Sequence, residues 1–303
     1  MYTPEIIFRG MLLPISGTPD ILFPNLGIVF ENVPRTVVTL FGFGIYFYGF
    51  LIAVGVALAA AYGINEAKRT GQDPDVYVSI LTWGLVGAFV GGRLYYVAFQ
   101  WENYRHNLLQ ILSLRDGGIA FYGSVLGAIL AGIIYVRMRK LSVRLHADTA
   151  MPAILIGQAL GRWGNFFNRE AYGNYTDSLF AMAIRADDAR GPISAEMAEN
   201  MFVINGAAYI QVHPTFLYES LWCIVAFGLL MLYKRYKKFP GEMGLLYFVA
   251  YGTGRFFIEG IRADQLMLWG TNIPASQFLS ALLVAGSLAA IAFERRRYAQ
   301  LTL

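Results

Sequence analysis

Charged side chains lie inside stretches of this chain that are long and apolar enough to cross a bilayer. The densest examples are residues 161–170, Gly-Arg-Trp-Gly-Asn-Phe-Phe-Asn-Arg-Glu, and residues 251–262, which contain Arg255, Glu259 and Arg262. A charged group near mid-bilayer costs about 2.5–3.5 kcal/mol on insertion scales, so such groups usually face a protein interior and have a function. These segments therefore predict a membrane protein with a polar site between its helices.

The composition also favours a membrane protein. Hydrophobic residues make up 56% of the 303 residues and charged residues 15%, whereas soluble domains carry about 25% charged residues. There is room for roughly six to eight spans and one sizeable loop, which excludes a large aqueous domain. The basic residues cluster beside apolar segments and set the topology, so the net charge of +4 does not indicate nucleic-acid binding.

The apolar segments predict an all-α integral membrane protein with about seven transmembrane helices and a small extracytoplasmic cap. Residues 1–41 form an N-terminal arm that prolines interrupt, and its segment 27–40 forms a short strand or an interfacial arm. Residues 42–293 form the transmembrane domain, with the cap at 170–213 between spans four and five. Residues 294–303 form a cytoplasmic tail. The predicted spans are 42–65, 76–99, 119–137, 147–164, 214–233, 243–260 and 274–293.

The loops alternate between basic and less basic segments, which predicts the orientation in the membrane. Because positive loops stay cytoplasmic, we expect the N-terminus and the cap outside and the C-terminus inside. The basic clusters are Lys68-Arg69, residues 137–144, residues 234–238 and Arg295-Arg296-Arg297; the less basic loops are 100–118, 170–213 and 261–273.

The polar residues of different spans are predicted to share one depth. A helix rises about 1.5 Å per residue, which brings polar groups from six spans into the outer third of the bilayer. Arg255, Glu259 and Arg262 are spaced to lie along one helix face, and Asn165 and Asn168 share another. The residues at this depth are Tyr48, Arg93, Tyr122, Arg162, Glu219 and Arg255.

This polar cluster has two interpretations. In the first, glutamates neutralise the arginines and the ion pairs only hold helices together. In the second, a surplus of arginines binds an anion, because guanidinium groups form bidentate hydrogen bonds with phosphate. The anion available at that depth is a phospholipid headgroup. We favour the second interpretation, because a structural pair needs one partner and not several arginines.

The histidines offer a further candidate but no metal site. His213 precedes Pro214 at the predicted mouth of span five, where it is either a base or a hydrogen-bond donor at the helix entry. His106 is expected in a polar outer loop and His146 at the cytoplasmic interface. The spacing of histidine and cysteine is unlike that of a metal site, and neither a metal nor another cofactor is expected.

At these positions the chain resembles the prolipoprotein diacylglyceryl transferase family. The family signature reads Gly-Arg-x-Gly-Asn-Phe-x-Asn-x-Glu-x-x-Gly, and the resemblance extends in order over residues 42–293. The chain matches it at Gly161, Arg162, Gly164, Asn165, Phe166, Asn168, Glu170 and Gly173, and elsewhere at Tyr48-Gly49, Gly91-Gly92-Arg93-Leu94, Asp116-Gly117-Gly118, His213-Pro214, Leu217-Tyr218-Glu219, Tyr251-Gly252, Arg255, Glu259 and Arg262.

The resemblance implies a transferase of the bacterial cytoplasmic membrane. Such an enzyme moves the diacylglyceryl group of phosphatidylglycerol to the lipobox cysteine of a preprolipoprotein, forming a thioether and releasing glycerol 1-phosphate. Its partners are phosphatidylglycerol, signal peptides and membrane lipid. In the family, a head region receives the signal peptide. In this chain the cap would either have that role or be a purely structural flap. The cap's expected apolar ribs are Ile184, Phe202, Val203, Ile204 and Tyr209.

The resemblance also assigns roles to residues. Arg162 and Arg255 would bind the phosphate, supported by Arg93 and Arg262, because charge develops on the leaving group. Substrate-binding positions would also include Gly173 and His213. Asn165, Tyr48 and Tyr251 would hydrogen-bond headgroup or glycerol oxygens, and Glu170, Glu219 and Glu259 would orient the arginines.

The chain departs from the family at the usual catalytic histidine, which Tyr122 replaces. An ordinary tyrosine titrates near pH 10, although adjacent arginines lower that value. Alternatively His213 or a glutamate accepts the thiol proton, or a cation stabilises the thiolate. The rival interpretations are a lipid or anion transporter, which the apolar inner halves of the spans disfavour, and a catalytically inactive paralogue.

Overall fold

A computed structural model describes residues 5–8, 11–14, 17–40, 42–105, 107–113 and 117–301. His106 and Asp116 lie outside them. Two short helices, α3 (Trp101–Tyr104) and α6 (Ala195–Glu199), accompany the long ones. The described part contains seven helices of 18 residues or more: α1 (Phe47–Arg69), α2 (Pro74–Phe99), α4 (Phe121–Met138), α5 (Val143–Asn168), α7 (Thr215–Tyr233), α8 (Glu242–Gly260) and α9 (Ala275–Leu301).

Each predicted span corresponds to one of these helices, and the largely helical membrane fold is confirmed. Five of them, α1, α2, α4, α9 and α7 with its 3-10 extension to Tyr236, are long and apolar enough to cross a membrane. Helices α5 and α8 are long enough but more polar, since they carry the arginines, asparagines and glutamates singled out above.

Several helix ends differ from the prediction. Helix α1 begins at Phe47 and not at residue 42, because strand β6 (Phe43–Tyr46) pairs with β5 (Thr36–Leu40) in an antiparallel hairpin. Helix α9 continues to Leu301 through the predicted tail. The sequence-based expectation of a strand within residues 27–40 is confirmed by β5 and by β4 (Ile28–Phe30).

The chain divides into two compact units, residues 60–153 and residues 1–59 with 154–303. In the unit of residues 60–153, α2 and α4 pack with their backbones in close contact. A side chain on Gly127 would place its Cβ 2.0 Å from the carbonyl oxygen of Gly87. Small residues allow this approach of two helices.

The other unit contains a five-stranded antiparallel sheet, so the all-α prediction is incomplete. Strands β3 (Ile21–Phe23) and β4 come from the N-terminal arm, whereas β7 (Met182–Arg185), β8 (Phe202–Ile204) and β9 (Ala207–Val212) come from the predicted cap. The order is β4-β3-β7-β9-β8, and Leu22 pairs with Ala183. A further hairpin joins β1 (Glu5–Phe8) and β2 (Met11–Pro14). The arm and the 170–213 segment therefore form one sheet.

The sheet buries most of the apolar ribs predicted for the cap. Ile184, Ile204 and Tyr209 are buried, and Phe202 is half-buried. Val203 was predicted to be buried as well, but it is 68% exposed. The reason is the alternation of side chains along a strand, which turns residue 203 away from the face that buries Ile204.

Candidate active site

Glu219 joins two arginines from different helices. It lies near the beginning of α7, and its side chain is 2% exposed. Its Oε1 lies 2.7 Å from Nη2 of Arg162 on α5, and its Oε2 lies 3.1 Å from Nη1 of Arg255 on α8. The hydroxyl of Tyr251 donates to Oε1 at 3.1 Å. One carboxylate thus fixes the positions of both guanidinium groups.

The ion pairs continue beyond Arg255. Its Nη2 lies 2.5 Å from Oε2 of Glu259, one helical turn further along α8. Nε of Arg262 lies 3.8 Å from the same oxygen, and its Nη2 lies 2.7 Å from Oδ2 of Asp264. Since α8 ends at Gly260, Arg262 follows the helix and does not extend its face as predicted.

The arginine cluster, defined as Arg162, Arg255 and Arg262 with their acidic partners, carries no surplus positive charge. Its three arginines are matched by Glu219, Glu259 and Asp264. Sequence analysis missed Asp264, although it lies only two residues beyond Arg262. The premise that unpaired arginines attract the anion is therefore wrong for this cluster. Carboxylates hold these arginines in position, so an anionic ligand would have to displace a carboxylate or bind beside it.

Two asparagines of α5 converge on one carboxylate. Nδ2 of Asn165 lies 3.2 Å and Nδ2 of Asn168 lies 3.0 Å from Oε1 of Glu170, and both amides donate. Glu170 was predicted to orient the arginines, but its side-chain partners in the described part of the chain are these amides. The reason is local: Glu170 follows the end of α5, where its backbone N–H donates to the carbonyl of Asn165.

Gly173 lies where the entry to α7 meets the exit from α8. It forms an isolated bridge with Arg262, and its N–H donates to the carbonyl of His213 at 2.9 Å. A Cβ at residue 173 would lie 2.7 Å from the carbonyl oxygen of Ile261 and 2.7 Å from Cβ of His213. A side chain at residue 173 does not fit there.

His213 is half-buried, and its Nδ1 lies 3.4 Å from the hydroxyl of Tyr218. Burial lowers the pKa of the imidazole below its usual 6.5, because desolvation disfavours the charged form. His213 is therefore neutral at pH 7.

Tyr48 lies at the beginning of α1 against Gly164, where an added Cβ would lie 2.5 Å from its ring. Next to it is a cavity of about 420 Å³. Sequence analysis did not single out Arg190, the charged residue of this cavity; a lone arginine in a cap loop gave no motif to recognise. The lining residues are Ile45, Tyr46, Tyr48, Gly49, Phe50, Asn168 and Arg190.

Arg93 and Tyr122 belong to the unit of residues 60–153. All donor nitrogens of Arg93 bind backbone carbonyls of the following loop, so Arg93 organises that loop. Tyr122 is the second residue of α4, is 37% exposed, and its ring contacts Phe121. The carbonyls that accept from Arg93 are those of Gln110, Ile111, Ser113, Gly117 and Gly118.

Comparison with known proteins gives the family. The model of the family described as prolipoprotein diacylglyceryl transferase matches residues 35–293. The chain belongs to the prolipoprotein diacylglyceryl transferase family. The resemblance found in the motifs is therefore confirmed over most of the chain. Membership accounts for the order of the glycine, arginine and asparagine motifs along α5, α7 and α8.

Three relatives named phosphatidylglycerol–prolipoprotein diacylglyceryl transferase illustrate the similarity. The protein of Listeria welshimeri is 40% identical over 82% of this chain and 85% of its own length. That of Enterococcus faecalis is 40% identical over 85% and 89%. That of Bacillus cytotoxicus is 38% identical over 88% and 93%. The comparisons give no support to the transporter or to the inactive paralogue.

Proposed function

We propose that this chain transfers the diacylglyceryl group of phosphatidylglycerol to the lipobox cysteine of preprolipoproteins, as the names of its relatives say of those proteins. The observation that carries the proposal is the arginine cluster around Glu219. Arg162 and Arg255 come from α5 and α8, and one buried carboxylate holds both at 2.7 and 3.1 Å. Guanidinium groups held in this way are preorganised for a phosphate.

In the reaction, the cysteine sulfur forms a bond with the terminal carbon of the diacylglyceryl group. The bond between that carbon and the phosphate oxygen breaks, and glycerol 1-phosphate leaves with the bonding electrons. Arg162 and Arg255 stabilise the charge that develops on the phosphate, with Arg262 held close to Glu259. Tyr48 and Asn165 provide hydrogen bonds to headgroup or glycerol oxygens, and Tyr251 does so by exchanging its bond to Glu219.

The thiol proton must be accepted before the thiolate attacks. We assign this step to Tyr122, because it stands at the position of the family's usual catalytic histidine. His213, neutral at pH 7, is the alternative acceptor. The released proton is finally taken up by the glycerol 1-phosphate that leaves.

The enzyme would be a multi-pass protein of the bacterial cytoplasmic membrane with seven spans, its N-terminus outside and its C-terminus inside. Basic residues at the ends of the helices support this orientation. Helix α1 ends with Lys68 and Arg69, and Lys234 and Arg235 follow α7. The sheet would then form the extracytoplasmic cap over the site, where it would receive signal peptides.

Transfer to a lipobox peptide by the purified protein in phosphatidylglycerol vesicles tests the proposal. We expect Arg162→Ala and Arg255→Ala each to lower turnover by at least about 100-fold, the effect of losing a preorganised donor of transition-state charge. Arg295→Ala is the control: its Nη2 lies 2.6 Å from buried Glu242, so it removes a comparable ion pair outside the arginine cluster. Near-normal turnover in both cluster variants would contradict the assignment, and no transfer by the unmodified protein would contradict the function.

A further inference from the structure

Among the residues that the structure describes, Arg190 differs from Arg169 and Arg185 of the sheet region in having no side-chain partner. Arg169 pairs with Asp20 at 2.8 Å, and Arg185 pairs with Asp187 at 2.5 Å. Across the described ranges, the guanidinium of Arg190 forms neither a hydrogen bond nor an ion pair. Its charge is therefore available to a ligand.

The backbone around Arg190 is fixed, although its side chain is exposed. The N–H of Arg190 donates to the carbonyl of Arg169 at 2.8 Å. Two residues earlier, Asp188 lies 2.5 Å from Nη2 of Arg35 and 2.9 Å from Nε of Arg169. The loop is thus attached at both residues to the turn that follows α5. A cation on an anchored backbone loses less conformational entropy on binding than one on a free loop.

The cavity that Arg190 lines suits one anionic group attached to an apolar body. Its volume is about 420 Å³, and Arg190 is the charged residue among its lining residues. Ile45 and Phe50 are apolar, whereas the phenol of Tyr48 and the amide of Asn168 are hydrogen-bonding groups. Asn168 also donates to Glu170, as Asn165 does. The cavity wall therefore includes part of the family motif.

We propose that Arg190 binds the phosphodiester of the anionic phospholipid substrate when the lipid enters this cavity, before Arg162 and Arg255 bind the phosphate for the reaction, and that it sets the affinity for that lipid. The proposal rests on the function proposed above. The charge balance supports it: Arg162, Arg255 and Arg262 are matched by three acids, whereas Arg190 is a cation that no acid of the described segments matches. Guanidinium recognises the two unesterified phosphate oxygens through paired hydrogen bonds.

The experiment compares Arg190→Gln with a matched control, Arg185→Gln, which removes the same charge from a paired arginine of strand β7. Purified full-length protein is assayed for transfer to a lipobox peptide while phosphatidylglycerol is diluted into phosphatidylcholine vesicles. We expect Arg190→Gln to raise the apparent KM for phosphatidylglycerol about tenfold, the loss of one charged contact. In Arg190→Gln, the kcat and the KM for peptide should stay within about threefold of the values for the unmodified protein. Arg190→Lys should recover part of the affinity for the lipid. Arg185→Gln should behave like the unmodified protein.

Three outcomes would overturn the proposal: an unchanged lipid KM in Arg190→Gln, a rise in the peptide KM alone, or a change only in inhibition by glycerol 1-phosphate or inorganic phosphate. A rise in the peptide KM alone would mean that Arg190 binds the polypeptide substrate. A change only in inhibition would mean that Arg190 binds the released product. Native mass spectrometry measures how much phosphatidylglycerol each variant retains. This measurement tests lipid binding by Arg190 independently of the proposed transferase activity. Loss of retained lipid in Arg190→Gln, with no transfer by the unmodified protein, would support the lipid contact and contradict the transferase.

Discussion

At the scale of single residues, four arginines of the described ranges differ in what their guanidinium groups contact. Arg93 is saturated by backbone carbonyls, Arg162 and Arg255 share Glu219, and Arg190 has no side-chain partner in the described ranges. Sequence motifs identify Arg93, Arg162 and Arg255, but they cannot show what each guanidinium contacts. Contacts with loop carbonyls depend on the folded loop: the motif marks Gly117 and Gly118, but no spacing shows that Arg93 binds their carbonyls.

The proton acceptor gives a prediction at this scale. We expect Tyr122→Phe to lower turnover about 100-fold or more, the usual contribution of an acid–base group, with both KM values little changed. His213→Gln should retain most of the turnover. Rates from single-turnover assays at pH 6 to 9 measure this, and the reverse ranking of the two variants would assign the proton to His213.

A stability measurement tests the titration of His213 separately. Its pKa is lowered in the folded protein by burial, so as the pH falls the unfolded chain binds the proton first. Folding stability should therefore decrease below about pH 6.5. His213→Gln should remove that part of the decrease in Tm, whichever residue accepts the thiol proton.

At the scale of elements, hydrophobic runs predicted the helices well because most of the length of a span must be apolar. The strands were harder to predict. Strands β3 and β4 are three residues each, too short for a periodic pattern, and β3 also depends on pairing with β7, which is far away in the chain. The beginning of α1 was misplaced for a different reason: Phe43–Tyr46 is apolar like the helix that follows, but it pairs as a strand with β5.

Gly173 gives a prediction for the junction between α7 and α8. Gly173→Ala should destabilise the protein by about 1–3 kcal/mol, the usual cost of overpacking, because the new Cβ would meet the carbonyl oxygen of Ile261 at 2.7 Å. Transfer should fall too, since Arg262 pairs with this position. The control is Gly228→Ala in α7, where no atom lies within 4 Å of the added Cβ.

Thermal unfolding followed by tryptophan fluorescence measures both glycine variants. Gly228→Ala should leave the Tm unchanged or raise it, because alanine favours a helix interior by about 0.5–1 kcal/mol over glycine. Equal Tm values for the two variants would mean that the junction tolerates a side chain at residue 173.

At the scale of the whole molecule, sequence analysis identified the family and the helical spans, but it treated the arm and the cap as separate segments. Buried Arg169 connects them: it pairs with Asp20 of the arm and with Asp188 of the loop after β7, and it donates to the carbonyl of Val33. Arg169 lies within the family motif, yet its partners are far away in the chain and no local spacing points to them.

Asp20→Asn should therefore loosen the arm. Its Oδ2 accepts from Nη2 of Arg169 and from the N–H of Val33, each at 2.8 Å, and losing the charged contact should cost about 1–3 kcal/mol. We expect faster cleavage of the arm in limited proteolysis and a lower Tm. Asp187→Asn, at an exposed ion pair with Arg185, is the control and should be cleaved like the unmodified protein. Equal cleavage of both variants would contradict a role for Asp20 in holding the arm.

The pairing of β3 with β7 also constrains how the protein is made. Strand β3 leaves the ribosome before α1, whereas β7 follows α5, so four of the long helices are synthesised between the two partners. Contacts between residues so distant in sequence form slowly. Strand β3 must therefore wait without β7 through most of membrane insertion, and completing the sheet is a late step in the biogenesis of this enzyme.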